Sequence, residues 1–309
     1  MTSTTGRLLK VGVQLPEVER EVRWPELLDM IRALEDGGFD SIWLGEHLLY
    51  RWTDRPEPAG PWEAWSMLSA IAAATTRVEF GPLVACTGFH NPALLAKQAS
   101  TIDEISGGRL ILGLGAGWNE TEFRAFGFPF DHRVDRFEEA FTIIRTLLRE
   151  GAIDFDGRFY QARDCELRPR GPRPEGPPLL IGSNGPRMLR ITMPHADAWN
   201  SWYADIDNTP AGIAPLRDIV DEACRSVGRD PSEIERTVAV LVRLPGGTGR
   251  LQGDYAAQSR ILPLEGSATE MADALRAYAA EGIGHVQLVV DPITRASIDA
   301  LVPVLRALD

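Results

Sequence analysis

The chain has 309 residues, of which 44% are hydrophobic and 25% charged, and its formal net charge is −12. This is an ordinary globular composition with enough chain to bury a sizeable core. The acidic balance repels polyphosphate backbones and argues against nucleic acid and anionic membrane as partners, and no apolar run is long enough to span a bilayer.

Strand and helix signals alternate along the chain. Residues 10–15 read as a first strand, closed by Pro16. Residues 24–36 carry Leu27, Leu28, Ile31 and Leu34 at helical spacing and stop at Gly37-Gly38. A strand at 41–44 runs into Gly45-Glu46-His47, and a Pro-rich loop at 51–61 leads to a helix at 62–75. A strand at 78–85 follows, then a helix at 92–105 with Pro92 in its first turn and Gly107-Gly108 beyond its end. Residues 110–114 form the fourth strand, and 134–150 a helix with Phe137, Phe141, Ile144 and Leu148 on one face.

Residues 153–167 read as an excursion, a hairpin turning near Asp156-Gly157, and a Pro/Gly/Arg loop at 169–178 follows. Strands at 179–182, 196–202, 237–244 and 286–290 then alternate with helices at 186–193, 211–227, 268–280 and 297–308. Residues 245–266 are polar and rich in glycine and carry no clear pattern. Eight β/α units in this length, with no composition break, predict one (β/α)8 TIM-barrel domain over 1–309 with insertions near 153–178 and 245–266.

A barrel of this kind places its site at the C-terminal strand ends. That rule selects Glu46-His47, the 82–87 stretch, residues 116–119, Gly182 to Gly185, residues 199–202 and Asp291. The fourth strand ends in Gly113-Leu114-Gly115-Ala116-Gly117-Trp118. A dinucleotide fingerprint would need glycine at position 118, and Trp118 stands there. Glycines threaded through a strand mark the close approach of a ligand or of another backbone. Gly182-Ser183-Asn184-Gly185, directly before a helix, offers free N–H groups to a phosphate.

His47 is a histidine at a strand end that can shuttle a proton near neutrality. Trp118, Trp199 and Trp202 are candidate walls for a ring system, although tryptophan is also ordinary rim packing. Cys86, Cys165 and Cys224 show no C-x-x-C pair and read as reduced thiols, and the five histidines are scattered, so no metal site is expected. Glycine, small polar groups and tryptophan, with no activated nucleophile and no carboxylate cluster, suit a large planar cofactor better than hydrolysis.

Several segments together carry a family pattern. They are Gly37-Gly38-Phe39-Asp40-Ser41-Ile42-Trp43, Gly81-Pro82-Leu83-Val84 and Asn91-Pro92-Ala93-Leu94-Leu95-Ala96-Lys97. Next come Asp103-Glu104-Ile105-Ser106-Gly107-Gly108-Arg109, the glycine-rich run to Trp118, Leu180 to Pro186, and Ala196-Asp197-Ala198-Trp199-Asn200. In this order they resemble the bacterial luciferase-like superfamily, in its branch of coenzyme F420- or FMN-dependent oxidoreductases.

The resemblance implies a TIM-barrel enzyme, usually a homodimer, acting on a small-molecule substrate; the lack of a bilayer-spanning run and the polar start at residues 1–10 make the cytoplasm the expected location. It implies a non-prolyl cis peptide within Pro82-Leu83-Val84 that backs the cofactor ring, with Ala116-Gly117-Trp118 against the ring. Gly182, Ser183, Asn184 and Gly185 would take the phosphate, and Glu46 and His47 would be catalytic beside the hydride-transferring carbon. The sugar-phosphate dehydrogenases of the family carry glutamate where Trp118 stands, and only Lys10 and Lys97 are lysines here. The expectation is therefore hydride transfer between coenzyme F420 and an apolar or aromatic substrate; the alternative is an FMN-dependent monooxygenase using reduced flavin and oxygen.

Overall fold

The computed structural model describes residues 7–52, 57–249 and 261–309. The strands are β1 (Lys10–Gln14), β2 (Ser41–Leu44), β3 (Glu79–Pro82), β4 (Ala85–Cys86), β5 (Leu112–Gly115), β6 (Ala152–Asp156), β7 (Gln161–Glu166), β8 (Leu179–Ile181), β9 (Ala198–Ser201), β10 (Glu235–Arg243) and β11 (His285–Asp291). Nine of them form one parallel sheet in the order β3-β2-β1-β11-β10-β9-β8-β5-β4. β3 and β4 are the two halves of the predicted third strand, interrupted at the cis peptide Leu83–Val84, so nine strands make eight staves. Phe80 pairs in parallel with Leu110, and this bridge joins the third stave to the fourth just ahead of β5.

The helices are α1 (Trp24–Asp36), α2 (Ala64–Ala74), α3 (Pro92–Ser106), α4 (Glu120–Phe126), α5 (Arg133–Glu150), α6 (Pro186–Thr192), α7 (Ile213–Ser226), α8 (Ala268–Ala280) and α9 (Arg295–Leu308). Their apolar faces and the outer faces of the strands make one core, which runs from Leu9 to Leu305. Such burial is the main favourable term in folding. The barrel interior is a second cluster built from Trp43, Leu83, Ile111, Leu180, Tyr203, Leu241 and Val289.

The predicted excursion at 153–167 is the antiparallel hairpin β6–β7, closed where Gly157 N–H donates to Tyr160 O at 2.9 Å. Of the stretch 245–266, residues 250–260 lie outside the described residues, while Leu264 bridges in parallel to Val242. One helix, α4, is absent from the sequence reading. Asn119 caps it by accepting from Thr121 N–H at 3.2 Å, and Gly127 ends it at φ +79°.

The glycines of the β5 run serve another backbone. A Cβ on Gly113 would strike the Pro82 carbonyl, and one on Gly115 would come within 2.8 Å of Val84 Cγ2. Together they open a notch for the break between β3 and β4 and for the Val84 side chain.

Arg109, at the barrel's other end, is a staple. Its guanidinium donates to Ser106 O, Thr75 Oγ1, Thr75 O, Val78 O and Ala72 O at 2.7–2.9 Å, tying the end of α2 to β3 and β5. Arg109→Ala leaves those acceptors unpaired and is expected to cost about 2–3 kcal/mol of stability. The denaturant midpoint would report it, and an unchanged midpoint would show the staple to be idle.

Candidate active site

The C-terminal ends of the staves surround two cavities, of about 480 and 320 Å3, that share Leu83, Val84, Gly182, Ser183 and Trp202. They are two parts of one groove, of a size suited to a cofactor with its substrate. The larger part is lined by Glu46, His47, Ala116, Gly117 and Trp118, and the smaller by Asn184, Asn200 and Asp205. Pro82 and Gly185 lie next to the lining residues in sequence. Asp291 faces elsewhere, accepting from Gly249 N–H at 2.7 Å.

His47 stands three residues past the end of β2, and its side chain is 16% exposed. Its Nδ1 lies 3.0 Å from Glu122 Oε1, its ring centroid lies 4.7 Å from that of Tyr50, and that of Trp118 lies 5.6 Å away. Burial works against the imidazolium, but the bond to Glu122 and the charges of Glu17, Glu122 and Glu46 prevail, and the His47 pKa is raised above its usual 6.5. His285 is the contrast. It is sealed inside the barrel against Ser41 Oγ at 2.7 Å, and burial and then Lys10 lower it to about 3, so it stays neutral.

Glu46 is buried with both oxygens engaged. Oε1 accepts from Trp65 Nε1 at 2.8 Å and bonds His90 Nε2 at 2.7 Å, and Oε2 accepts from Cys86 N–H at 2.7 Å. It fastens the loop after β2 to α2 through Trp65, to the end of β4 through Cys86, and to His90. Burial, with Glu46 nearby, pushes the Cys86 thiol well up, so it is an inert packing group at this wall.

Trp118 and Trp202 line the groove, as expected. Trp199 does not. It is fully buried, and its Nε1 donates to Ser183 O and Asn184 Oδ1, both at 3.2 Å, from beneath the loop. Asn184 Nδ2 donates to Asp205 Oδ2 at 3.0 Å, and burial raises the Asp205 pKa. The loop is thus held from below, and Gly185 begins α6 without a side-chain cap, which leaves first-turn N–H groups for an anion.

The sequence reading found no carboxylate cluster. The structure gathers Glu17, Glu46 and Glu122 around this groove, all buried. They come from three distant points of the chain. Glu17 lies just past Pro16, and Gly45 makes room for it, since a Cβ there would strike its carboxylate. Glu122 lies on the helix that was not predicted. Asn119, Gly127 and the acidic first turn of α4 are the cap signals that would have found it. Among the described residues no group of three or more His, Cys, Asp or Glu side chains could hold a metal ion.

A model of the luciferase-like monooxygenase family matches residues 8–245. The chain belongs to that family. It is 30% identical over 247 residues to a 5,10-methylenetetrahydromethanopterin reductase of Archaeoglobus fulgidus, covering 76% of this chain and 69% of that protein. It is 33% identical to a pyrimidine monooxygenase of Rhizobium rhizogenes, over 67% of this chain and 53% of that one. The chain thus spans about half of the second relative's length. A solved F420-dependent secondary alcohol dehydrogenase, in complex with an F420-acetone adduct, superposes with a TM-score of 0.80 at 20% identity, covering 97% of this chain and 99% of that one. The last likeness carries the luciferase-like barrel fold.

The residues of this luciferase-like protein fit a flat ring system with a phosphate arm. Val84 sits in the notch of Gly113 and Gly115, and a Cβ on Gly182 would come within 3.1 Å of Val84 Cγ1. Glycine at 182 therefore keeps the junction of the two cavities clear, between the Leu83-Val84 floor and the Ser183-Asn184 loop.

Proposed function

We propose that this luciferase-like oxidoreductase binds coenzyme F420 in the groove and moves a hydride between it and a small neutral ketone or alcohol with an apolar or aromatic body. A deazaflavin supplies a two-electron hydride carrier with little reactivity toward oxygen. Leu83, Val84 and Ala116-Gly117-Trp118 would back and flank the ring, and Ser183 with the N–H groups at the start of α6 would hold the phosphate. A ketone that receives a hydride also needs a proton. His47 supplies it, through the one ring nitrogen not bonded to Glu122. That placement, beside the ring floor and with a raised pKa, is the observation that carries the reading.

Glu46 is in this reading a positioning residue, because its oxygens are taken by Trp65, His90 and Cys86. The three buried carboxylates disfavour an anionic substrate, and Tyr50, Trp118 and Trp202 offer it an apolar rim. A homodimer in the cytoplasm completes the proposal. The family's monooxygenases, such as the pyrimidine monooxygenase at 33% identity, support FMN with oxygen as the second reading.

A tryptophan-fluorescence titration with the two cofactors side by side tests it, since Trp118 and Trp202 line the groove. Tighter binding of coenzyme F420 than of FMN is expected. Tight binding of FMN alone would replace hydride transfer by oxygen insertion, and binding of neither would overturn the cofactor assignment.

A further inference from the structure

Glu122 takes no part in the chemistry above, yet it is among the most buried charged groups of the protein, at 2% exposure. Its two oxygens face different partners. Oε2 accepts from Leu48 N–H at 2.8 Å and from Leu49 N–H at 3.4 Å, and Oε1 meets His47 Nδ1 at 3.0 Å. The carboxylate is held in place by its helix. Phe123, the next residue, is fully buried, tilted against Phe89 and edge-to-face with Phe130, and Asn119 Nδ2 donates to Leu49 O at 3.0 Å. The 47–49 segment is therefore clasped by α4 on both its donors and its acceptor.

We infer that Glu122 is a positioning residue that keeps the proton of neutral His47 on Nδ1 and so turns Nε2 toward the substrate. The inference rests on the reading of His47 as the proton carrier. An ionised carboxylate only accepts hydrogen bonds, so the nitrogen facing it must carry hydrogen in both charge states of the ring. Nε2 is then the single site where the proton comes and goes. Glu17 and Glu46 also face the ring electrostatically, and Tyr50, Cys86 and Arg133 line the same cavity, while Glu122 Oε1 lies at hydrogen-bond distance from Nδ1 of the imidazole.

The variant Glu122→Gln separates positioning from mere bracing of the loop. Its amide has one oxygen and one NH2. The backbone donors of Leu48 and Leu49 cannot reverse, so they retain the oxygen and the NH2 is presented to His47 Nδ1. That nitrogen must then become the acceptor, and neutral His47 shifts to the Nε2–H form.

The readout is nitrogen NMR of 15N-histidine-labelled protein without cofactor, followed over pH, with circular dichroism to check the fold. Expected are an Nδ1–H tautomer in the wild type, an Nε2–H tautomer in Glu122→Gln, and a titration midpoint lowered by about one pH unit on loss of the charge. An Nε2–H tautomer in the wild type would overturn the inference without any variant. So would a folded Glu122→Gln protein with the wild-type tautomer and midpoint. The cofactor titration and the His47 variant test the underlying reading separately, because the tautomer is read on the free protein.

Discussion

His47→Ala is expected to lower turnover by about 10²- to 10⁴-fold while leaving cofactor affinity close to wild type, the range typical of losing a placed general acid or base. The ring reaches the groove from the end of β2, and the floor at Leu83-Val84 and the Ser183-Asn184 loop do not depend on it. Glu122 keeps its two backbone donors in the variant, so the loop stays tied.

The pH dependence has a definite sign. Ketone reduction needs the imidazolium, whose population persists above pH 6.5 because the pKa is raised. The rate then falls as pH rises through that pKa. Alcohol oxidation needs the neutral ring, and its rate rises through the same pKa. Folding stability follows the protonated form: the contribution of His47 is complete below the unfolded value of about 6.5 and is lost as pH rises through the native one. Steady-state rates with a ketone or alcohol that the wild type turns over would check this. A variant with wild-type turnover and the same pH limb would remove His47 from the chemistry.

Much of the barrel is legible because its signals are local. Periodic apolar faces, proline at helix starts and glycine past helix ends mark eight units whose observed bounds differ by a few residues. The sequence pattern carries α2 back to residue 62, but Glu63 is its cap, accepting from Trp65 N–H and Ser66 N–H. Apolar pattern alone reads the third strand as continuous through Pro82-Leu83-Val84-Ala85; its interruption at the cis peptide Leu83–Val84 is foreseen only through the family resemblance. Helix α4 is seven residues long, too short for periodicity to speak, and Glu122 was lost with it.

The site reading by strand ends brought Glu46, His47, Ala116, Gly117, Trp118, Gly182 and Ser183 to one groove. It did not show which of them touch ligand space and which hold others. Trp199 lies within β9 and is buried in the main core, whereas Trp202 stands one residue past the end of that strand and lines the groove. Arg109 closes the Asp103–Arg109 segment of the family pattern, yet its five hydrogen bonds lie at the end of the barrel away from the groove.

Gly117→Leu shows the same distinction in energetic form, and it is expected to damage the fold and the site together. The sequence suggests that a bulky residue there would block the cofactor and leave the fold intact. In the structure Gly117 has φ +77°, and a Cβ would strike Cys86 Sγ and lie 2.8 Å from Phe123 Cζ. The new side chain points into the packing between the end of β4 and α4, not into the groove. A non-glycine residue in that backbone region costs about 1–3 kcal/mol, and forcing a leucine between two packed groups adds about 1–3 kcal/mol more. Relief would have to come from moving Phe123, which carries Glu122 with it and so loosens His47.

The denaturant midpoint of Gly117→Leu should therefore fall by the equivalent of about 2–6 kcal/mol, the range spanned by those two costs, and cofactor binding should fall with it. Gly117→Ala, with the smallest possible Cβ, should show a lesser loss in both. A Gly117→Leu protein with the wild-type midpoint but no cofactor binding would mean that the side chain turns into the groove, and that Gly117 serves the ligand directly rather than the wall behind it.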